Sequence, residues 1–250
     1  MDVQNKVVVV TGASRGIGRA IALALAAAGA DVVCTARSSE ASPSKLPGTI
    51  DQTAREVEAL GRRALAIPMN VAKDEEIEAM ARRTLAEFGR IDILVNNAAV
   101  SAPGSFLDVP VKRWDLVMNI NVRGVYLCTR AFLPTMMEQR SGCILNVSSV
   151  ASWATESWGL AYSVSKAALE RLTTGLAAEV QSYNIAVNAL QIERMVASEG
   201  FVYLTPDVDH STWDKPEVVG EDVLWLVRCD PTYTGHVVTL DDIERQRAQA

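Results

Sequence analysis

The sequence predicts an α/β fold: a doubly wound parallel β-sheet flanked by helices on both faces, in a single domain. Three observations carry that expectation. Short β-branched runs alternate with longer helical stretches, the rhythm of βαβ units and a parallel sheet. The runs are apolar throughout, as in Val7-Val8-Val9-Val10, which suits strands covered on both faces. The first run then breaks into a glycine-rich turn, Thr11-Gly12-Ala13-Ser14-Arg15-Gly16-Ile17-Gly18, directly before a helical stretch.

Taken in order, the first strand spans 7–10 and its helix runs to about residue 28, with Gly29 as the stop. A second strand, 32–36, ends at Arg37, and the Ser- and Pro-rich stretch 38–48 is a loop. Helix 49–60 leads to strand 64–67 and on to Pro68-Met69-Asn70-Val71. Residues 74–88 are amphipathic with an acidic first turn, a helix. Strand 91–95 ends in Asn96-Asn97-Ala98-Ala99. Residues 110–139 are mostly helical but carry Asn119-Ile120-Asn121-Val122-Arg123-Gly124, where Asn and Gly weaken a helix and point to function or a kink. Strand 143–147 runs into Ser148-Ser149, a loop holds Trp153 and Trp158, and the Ala-rich helix 160–180 follows. After strand 185–190, residues 191–215 lack clear periodicity. Helix 217–227 and a last strand, 235–240, close the domain.

With 250 residues and 49% apolar content, the chain can bury a substantial core. A net charge of −6 and the lack of any basic block argue against nucleic acid as a partner. No apolar segment is long enough to span a bilayer, and no signal peptide is expected before the first strand. Cys34, Cys128, Cys143 and Cys229 are scattered without a Cys-x-x-Cys, as small buried residues in a reducing compartment would be. His210 and His236 have no cysteine or carboxylate cluster beside them, so no metal site is expected. The expected location is cytoplasmic.

The glycine turn is the cradle expected for a dinucleotide pyrophosphate: its backbone approaches phosphate closely, and the helix N-terminus offers free N–H groups. No Lys-Ser or Lys-Thr closes it, which excludes a Walker A loop. Where an NAD site carries an acid for the ribose 2′-hydroxyl, this chain has Arg37-Ser38. Arg37, with Arg15 as a second charge, suits a 2′-phosphate and favours NADP(H), with NAD(H) the alternative. A solvated surface arginine is the plainer reading of each.

Tyr162 and Lys166 lie four apart on helix 160–180 and share a face. A free phenol has a pKa of about 10, poorly matched to acid/base work near neutrality. An ammonium about 4 Å away contributes roughly 4 kcal/mol at an effective dielectric of about 20. That is enough to lower the phenol by about three units at 1.36 kcal/mol each. A half-buried aromatic beside a solvated charge is the plain alternative, and the upstream motifs weigh against it.

Together these residues resemble the short-chain dehydrogenase/reductase family, over essentially the whole chain. Thr11 to Gly18 matches its cofactor turn, Asn96-Asn97-Ala98 its sheet motif and Tyr162/Lys166 its catalytic pair. Ser149 stands 13 positions before the tyrosine (162 − 149), where the family places its serine, and Asn121 with Val122-Arg123-Gly124 matches its fourth catalytic residue. The resemblance implies a Rossmann-type fold and hydride transfer between a nicotinamide and a carbonyl or alcohol carbon. Tyr162 would move the proton, Ser149 would hold the substrate oxygen, Lys166 would lower the tyrosine and hold the nicotinamide ribose, and Asn121 would support a water leading to Lys166. Cofactor contacts would come from Gly12, Ser14, Arg15, Gly16, Ile17 and Gly18, from Arg37 and Ser38, from Asn70 and Val71, from Asn97 and Ala98, and from Ile192. Residues 191–215 would form a substrate lid. Pairing through helices 110–139 and 159–180 would give a homodimer or homotetramer. Pro43 and Leu46-Pro47-Gly48-Thr49 also resemble the hydroxysteroid-dehydrogenase-like branch.

The sequence departs from that pattern at three places. Ala99 replaces a glycine, Asn70 an aspartate, and Ile192-Glu193 the Pro-Gly expected after Val187-Asn188-Ala189, with no threonine at the matching place beyond. The last departure keeps a second reading open, a catalytically silent NADP(H)-binding sensor or assembly subunit. Trp153, Trp158, Met195, Phe201, Tyr203 and Trp213 are expected around the pocket and lid of a mainly apolar substrate, or else in core or subunit contacts.

Overall fold

The computed structural model describes residues 2–155 and 159–249. Seven parallel strands form one sheet in the order β3-β2-β1-β4-β5-β6-β7. They are β1 (Val7–Thr11), β2 (Asp31–Ala36), β3 (Ala64–Pro68), β4 (Ile93–Asn96), β5 (Gly142–Ser149), β6 (Ile185–Ile192) and β7 (Val237–Thr239). Strand direction reverses its march at β1, so the crevice for a ligand opens between the carboxyl ends of β1 and β4.

The all-valine first strand is apolar throughout because it feeds two cores. Val8 and Val10 pack with Ile21 and Leu25 of α1 (Gly16–Ala27), Ile50 and Val57 of α2 (Ile50–Ala59), and Val223 of the helix Pro216–Arg228. Val9 points the other way, to Ile77 and Met80 of α3 (Asp74–Phe88) and to Phe132 and Met136 of the helix Val125–Gln139. Alternation along a strand places neighbours on opposite faces, so a strand buried on both has no polar position to show.

The interruption expected within 110–139 is a π-turn. Helix α4 (Val111–Met118) widens at Asn119–Gly124 and continues as α5 (Val125–Gln139). A π-turn within a helix is a recurrent mark of functional sites. Helix α6 (Leu160–Val180) has the expected bounds. The aperiodic stretch holds a short helix, α7 (Glu199–Leu204), and α8 spans Pro216–Arg228.

Two expectations are corrected. β5 and β6 each run two residues further than expected, because Ser148 pairs with Gln191 and Ser149 with Ile192. The last strand is short and is followed by a helix, α9 (Leu240–Arg247). Thr239 and Asp242 form its capping box, each side chain accepting from the other's backbone N–H.

Cys34, Cys128 and Cys143 are buried without a disulfide, and burial pushes each thiol up to about 12. Among the described residues, no helix is long and apolar enough to cross a membrane, and no group of His, Cys, Asp and Glu is placed to hold a metal ion.

Candidate active site

The glycine turn is fixed from below by β4. Asn97 Nδ2 donates to the Thr11 carbonyl at 2.8 Å, and the Asn97 and Ala98 amides both donate to Thr11 Oγ1 at 3.0 Å. The turn itself tolerates no side chain at Gly18, where a Cβ would run into the Gly12 carbonyl and the Asn97 amide. Gly16 has φ +52°, and Ser198 and Glu199 rest against it. Arg15 gives α1 no side-chain cap, and the first turn holds no acid. The N–H groups and dipole of α1 are therefore left to favour an anion, and the cradle fits a dinucleotide phosphate. Ser14 is buried in the turn, and Ile17 packs against the core beneath it.

Arg15 turns to the loop after β2. Its Nε donates to the Pro47 carbonyl at 2.8 Å. Its Nη2 donates to Ser44 Oγ at 2.7 Å, the Gly48 carbonyl at 3.0 Å and Ser38 Oγ at 3.1 Å. The guanidinium thus fastens the loop after β2 onto the glycine turn. Arg37 stands exposed at the end of β2, with Ser38 buried beside it. Asn70 forms a local turn, its Oδ1 accepting from the Ala72 amide at 3.0 Å and its own amide donating to Glu76 at 2.7 Å. Val71 lies against Gly124, where a Cβ would come within 2.9 Å of the Val71 carbonyl.

At the end of β5 the three expected groups meet. The Ser149 hydroxyl is hydrogen-bonded to the Tyr162 phenol. Lys166 lies one turn along α6, buried, with Nζ 5.4 Å from the centre of the Tyr162 ring. Its ammonium donates to the Val147 carbonyl at 2.7 Å. Burial lowers Lys166 to about 8, opposed by the charge of Glu170. Burial pushes the Tyr162 phenol above its ordinary value, and the Ser149 hydrogen bond offsets part of that rise. Asn121 sits in the π-turn, but its side chain is fully engaged. Its Oδ1 accepts from the Val100 amide, and its Nδ2 donates to the Val100 carbonyl, all at 2.9 Å, and to Ser165 Oγ at 3.0 Å. Ser165 in turn donates to the Tyr162 carbonyl at 2.7 Å, so Asn121 braces the turn of α6 that carries the tyrosine.

Ile192 ends β6 opposite Ser149. Glu193 then caps α9, accepting from the Asp241 amide at 2.8 Å and the Leu240 amide at 3.1 Å. Arg194 pairs with Glu244 at 2.7 Å, Asp214 at 3.5 Å and Asp241 at 3.6 Å. The unusual turn is thereby anchored to the C-terminal helix. The expected aromatic cluster comes together only in part. Phe201 and Trp213 have ring centres 5.0 Å apart, and Asp214 beside them donates its amide to the Met195 carbonyl. Tyr203 is 61% exposed, Trp153 hydrogen-bonds Gln191 from an exposed position, and Trp158 lies outside the described residues. Glu170 and Gln191, which tie β5 to β6 beneath this site, were missed from the sequence, although Glu170 stands one helical turn after Lys166.

The sequence profile of the short chain dehydrogenase family matches residues 6–199. This chain belongs to that family. A hydroxysteroid dehydrogenase-like protein 2 from Homo sapiens is 35% identical over 243 residues, 96% of this chain and 57% of the relative. The chain thus spans little more than half the length of that relative. A 3-oxoacyl-[acyl-carrier-protein] reductase from Synechocystis is 40% identical over 186 residues, covering 74% of this chain and 72% of the relative. The crystal structure of a short chain dehydrogenase from Mycobacterium thermoresistibile superposes with a TM-score of 0.87 at 32% identity, covering 98% and 88% of the two chains. Membership makes this a short-chain dehydrogenase oxidoreductase fold, and the family implies an NAD(P) nucleotide as cofactor.

Proposed function

We propose that this short-chain dehydrogenase is an NADP(H)-dependent oxidoreductase interconverting a carbonyl and an alcohol on a mainly apolar small molecule. The observation that carries the reading is the Ser149 hydroxyl bonded to the Tyr162 phenol, with buried Lys166 one turn below. When bound, the dinucleotide supplies or accepts the hydride. Gly12, Ser14, Gly16, Ile17 and Gly18 would hold its phosphates, Asn70, Val71, Asn97, Ala98 and Ile192 would border it, and Tyr162 and Lys166 would hold its ribose. Tyr162 passes the proton to or from the substrate oxygen, and Ser149 hydrogen-bonds that oxygen as charge develops. Lys166 favours the phenolate, and Asn121 keeps the Tyr162 turn in place.

A groove of about 420 Å³ at the start of α6 supports an apolar substrate: Phe106, Val109, Val111, Trp114, Leu160 and Ala161 line it. The relatives' names speak of a hydroxysteroid and a 3-oxoacyl group, each an oxygen function on a carbon skeleton. The NADP(H) preference rests on Arg37, exposed at the end of β2. The buried thiols support a reducing, cytoplasmic setting. The family's homodimer or homotetramer and the lid at 191–215 complete the reading. Glu193 has a structural task as the cap of α9, so the departure that motivated a silent binder needs no loss of chemistry.

Tyr162→Phe, assayed with NADPH and a panel of aldehydes and ketones, is expected to lose about 10²–10⁴-fold in turnover while still binding cofactor. Full turnover in that variant would overturn the mechanism. Fluorescence titration should give tighter binding of NADPH than NADH, and Arg37→Ala should weaken NADPH by about tenfold with NADH unmoved.

A further inference from the structure

The Ser149, Tyr162 and Lys166 groups stand on a second layer of side chains. Glu170 lies on α6 one turn beyond Lys166 and two beyond Tyr162, on the same face. Its Oε1 accepts from Ser148 Oγ at 2.6 Å and from Gln191 Nε2 at 2.9 Å. Ser148 and Gln191 are buried, so these bonds form out of water, where a carboxylate lacking donors would be costly. Gln191 carries the connection further. Its Nε2 also donates to Ser152 Oγ at 3.0 Å, and its Oε1 accepts from Trp153 Nε1 at 3.0 Å.

One carboxylate therefore joins three parts of the site. Ser148 lies between Val147, whose carbonyl holds Lys166, and Ser149, whose hydroxyl holds Tyr162. Gln191 immediately precedes Ile192 at the end of β6. Ser152 and Trp153 belong to the turn that follows β5. Among the described residues, Tyr162 and Glu170 are the titratable groups facing Lys166. The groups that β5, β6, the π-turn and the 150–152 turn bring to this face of α6 are uncharged: the Val147 carbonyl, Ser148, Ser149, Asn121, Ser152 and Gln191. Glu170 is also the charge that counters the effect of burial on Lys166.

We propose that Glu170 is a positioning residue of this site: its carboxylate fixes the ends of β5 and β6 and the Trp153 turn, and it sets a negative charge one helical turn from Lys166. Glu170 acts on the Lys166–Tyr162 pair from the layer beneath it, through the strand ends that hold both groups. The inference rests on the reading of Tyr162 as acid/base, and its test separates the two.

Lysine-¹³C-labelled full-length protein is titrated by NMR, with the Lys166 signal assigned through Lys166→Arg. This needs no turnover. The parent midpoint is expected at about 8. In Glu170→Gln it falls by about one pH unit, while Glu170→Asp, which keeps the charge, stays with the parent. With NADPH and a carbonyl substrate, the pH–rate profile of Glu170→Gln moves down by about the same amount, since losing a nearby negative charge eases proton loss from both members of the pair. An unmoved Lys166 midpoint in Glu170→Gln overturns the proposal, whether or not the protein turns over. A shifted midpoint in a protein without turnover sustains it and strikes only the proposed function. Should the Gln variant not fold, Glu170→Ala takes its place with the same two readings: a midpoint lowered by about one unit supports the proposal, and an unmoved one overturns it.

Discussion

Two turns meet at the carboxyl ends of the strands, and they are held by opposite chemistries. The turn after β1 is fastened by neutral groups: the Asn97 amide, the Thr11 hydroxyl and backbone carbonyls. The turn after β6 is fastened by charge, with Glu193 capping α9 and Arg194 held among Glu244, Asp214 and Asp241. The Glu244 and Asp241 side chains are more than half exposed. Neutral bonds formed beside a ligand cradle keep their strength across salt and pH, whereas exposed ion pairs are screened. The family pattern is kept where backbone must touch backbone, and it gives way where another fastening holds the chain equally well.

Substitutions on the two sides should separate these chemistries. The largest effect is expected at Gly18→Ala, whose methyl would meet the Asn97 amide at 2.5 Å and the Gly12 carbonyl carbon at 2.8 Å. A loss of about 3 kcal/mol in denaturant midpoint stability follows, with cofactor binding abolished. Asn97→Ala leaves the Thr11 and Gly12 carbonyls without their donor and should cost about 2 kcal/mol, equally in low salt and in 1 M NaCl. A salt-dependent loss there would break the contrast.

On the ionic side, Asp222 of α8 is buried and paired with Arg247 Nη1 at 2.9 Å, and burial pushes it from 3.8 up to about 6. The folded protein keeps this proton to higher pH than the unfolded chain. Its contribution to stability is therefore complete below about pH 4 and is lost as the pH rises through about 6. Relative to the parent, Asp222→Asn should gain stability between those limits, by on the order of 2 kcal/mol in thermal melts. A pH-independent difference would remove Asp222 from the ionic set. Glu193→Gln should be the mildest, about 0.5–1 kcal/mol from the weakened cap, with the difference shrinking in 1 M NaCl.

Where local pattern decides structure, the sequence was readable. The valine runs, the glycine turn and the Tyr162/Lys166 spacing each report a constraint that acts within a few residues. Helix α9 was hidden because 240–247 offers only Leu240 and Ile243 as buried apolar positions, too few to set a period. The Thr239/Asp242 capping box was its available signal. Arg15 is legible as a charge in the turn, but its partners lie 23 to 33 residues on and become neighbours only when the loop folds back. Glu170 stands one helical turn after Lys166 on the same face but was passed over. Ser148 and Gln191 reach it only through the register of β5 and β6, which no single segment encodes.

The three sealed thiols turn the molecule into its own stopwatch. Cys34 on β2 and Cys143 on β5 lie in the core under α1, α2 and α8, and Cys128 on α5 lies in the core on the other face of the sheet. With both reactivity and access suppressed, an alkylating reagent can modify them only in molecules that have opened. The order in which the three masses appear then maps which layer separates first, and equal rates mean that the sheet comes apart in a single step.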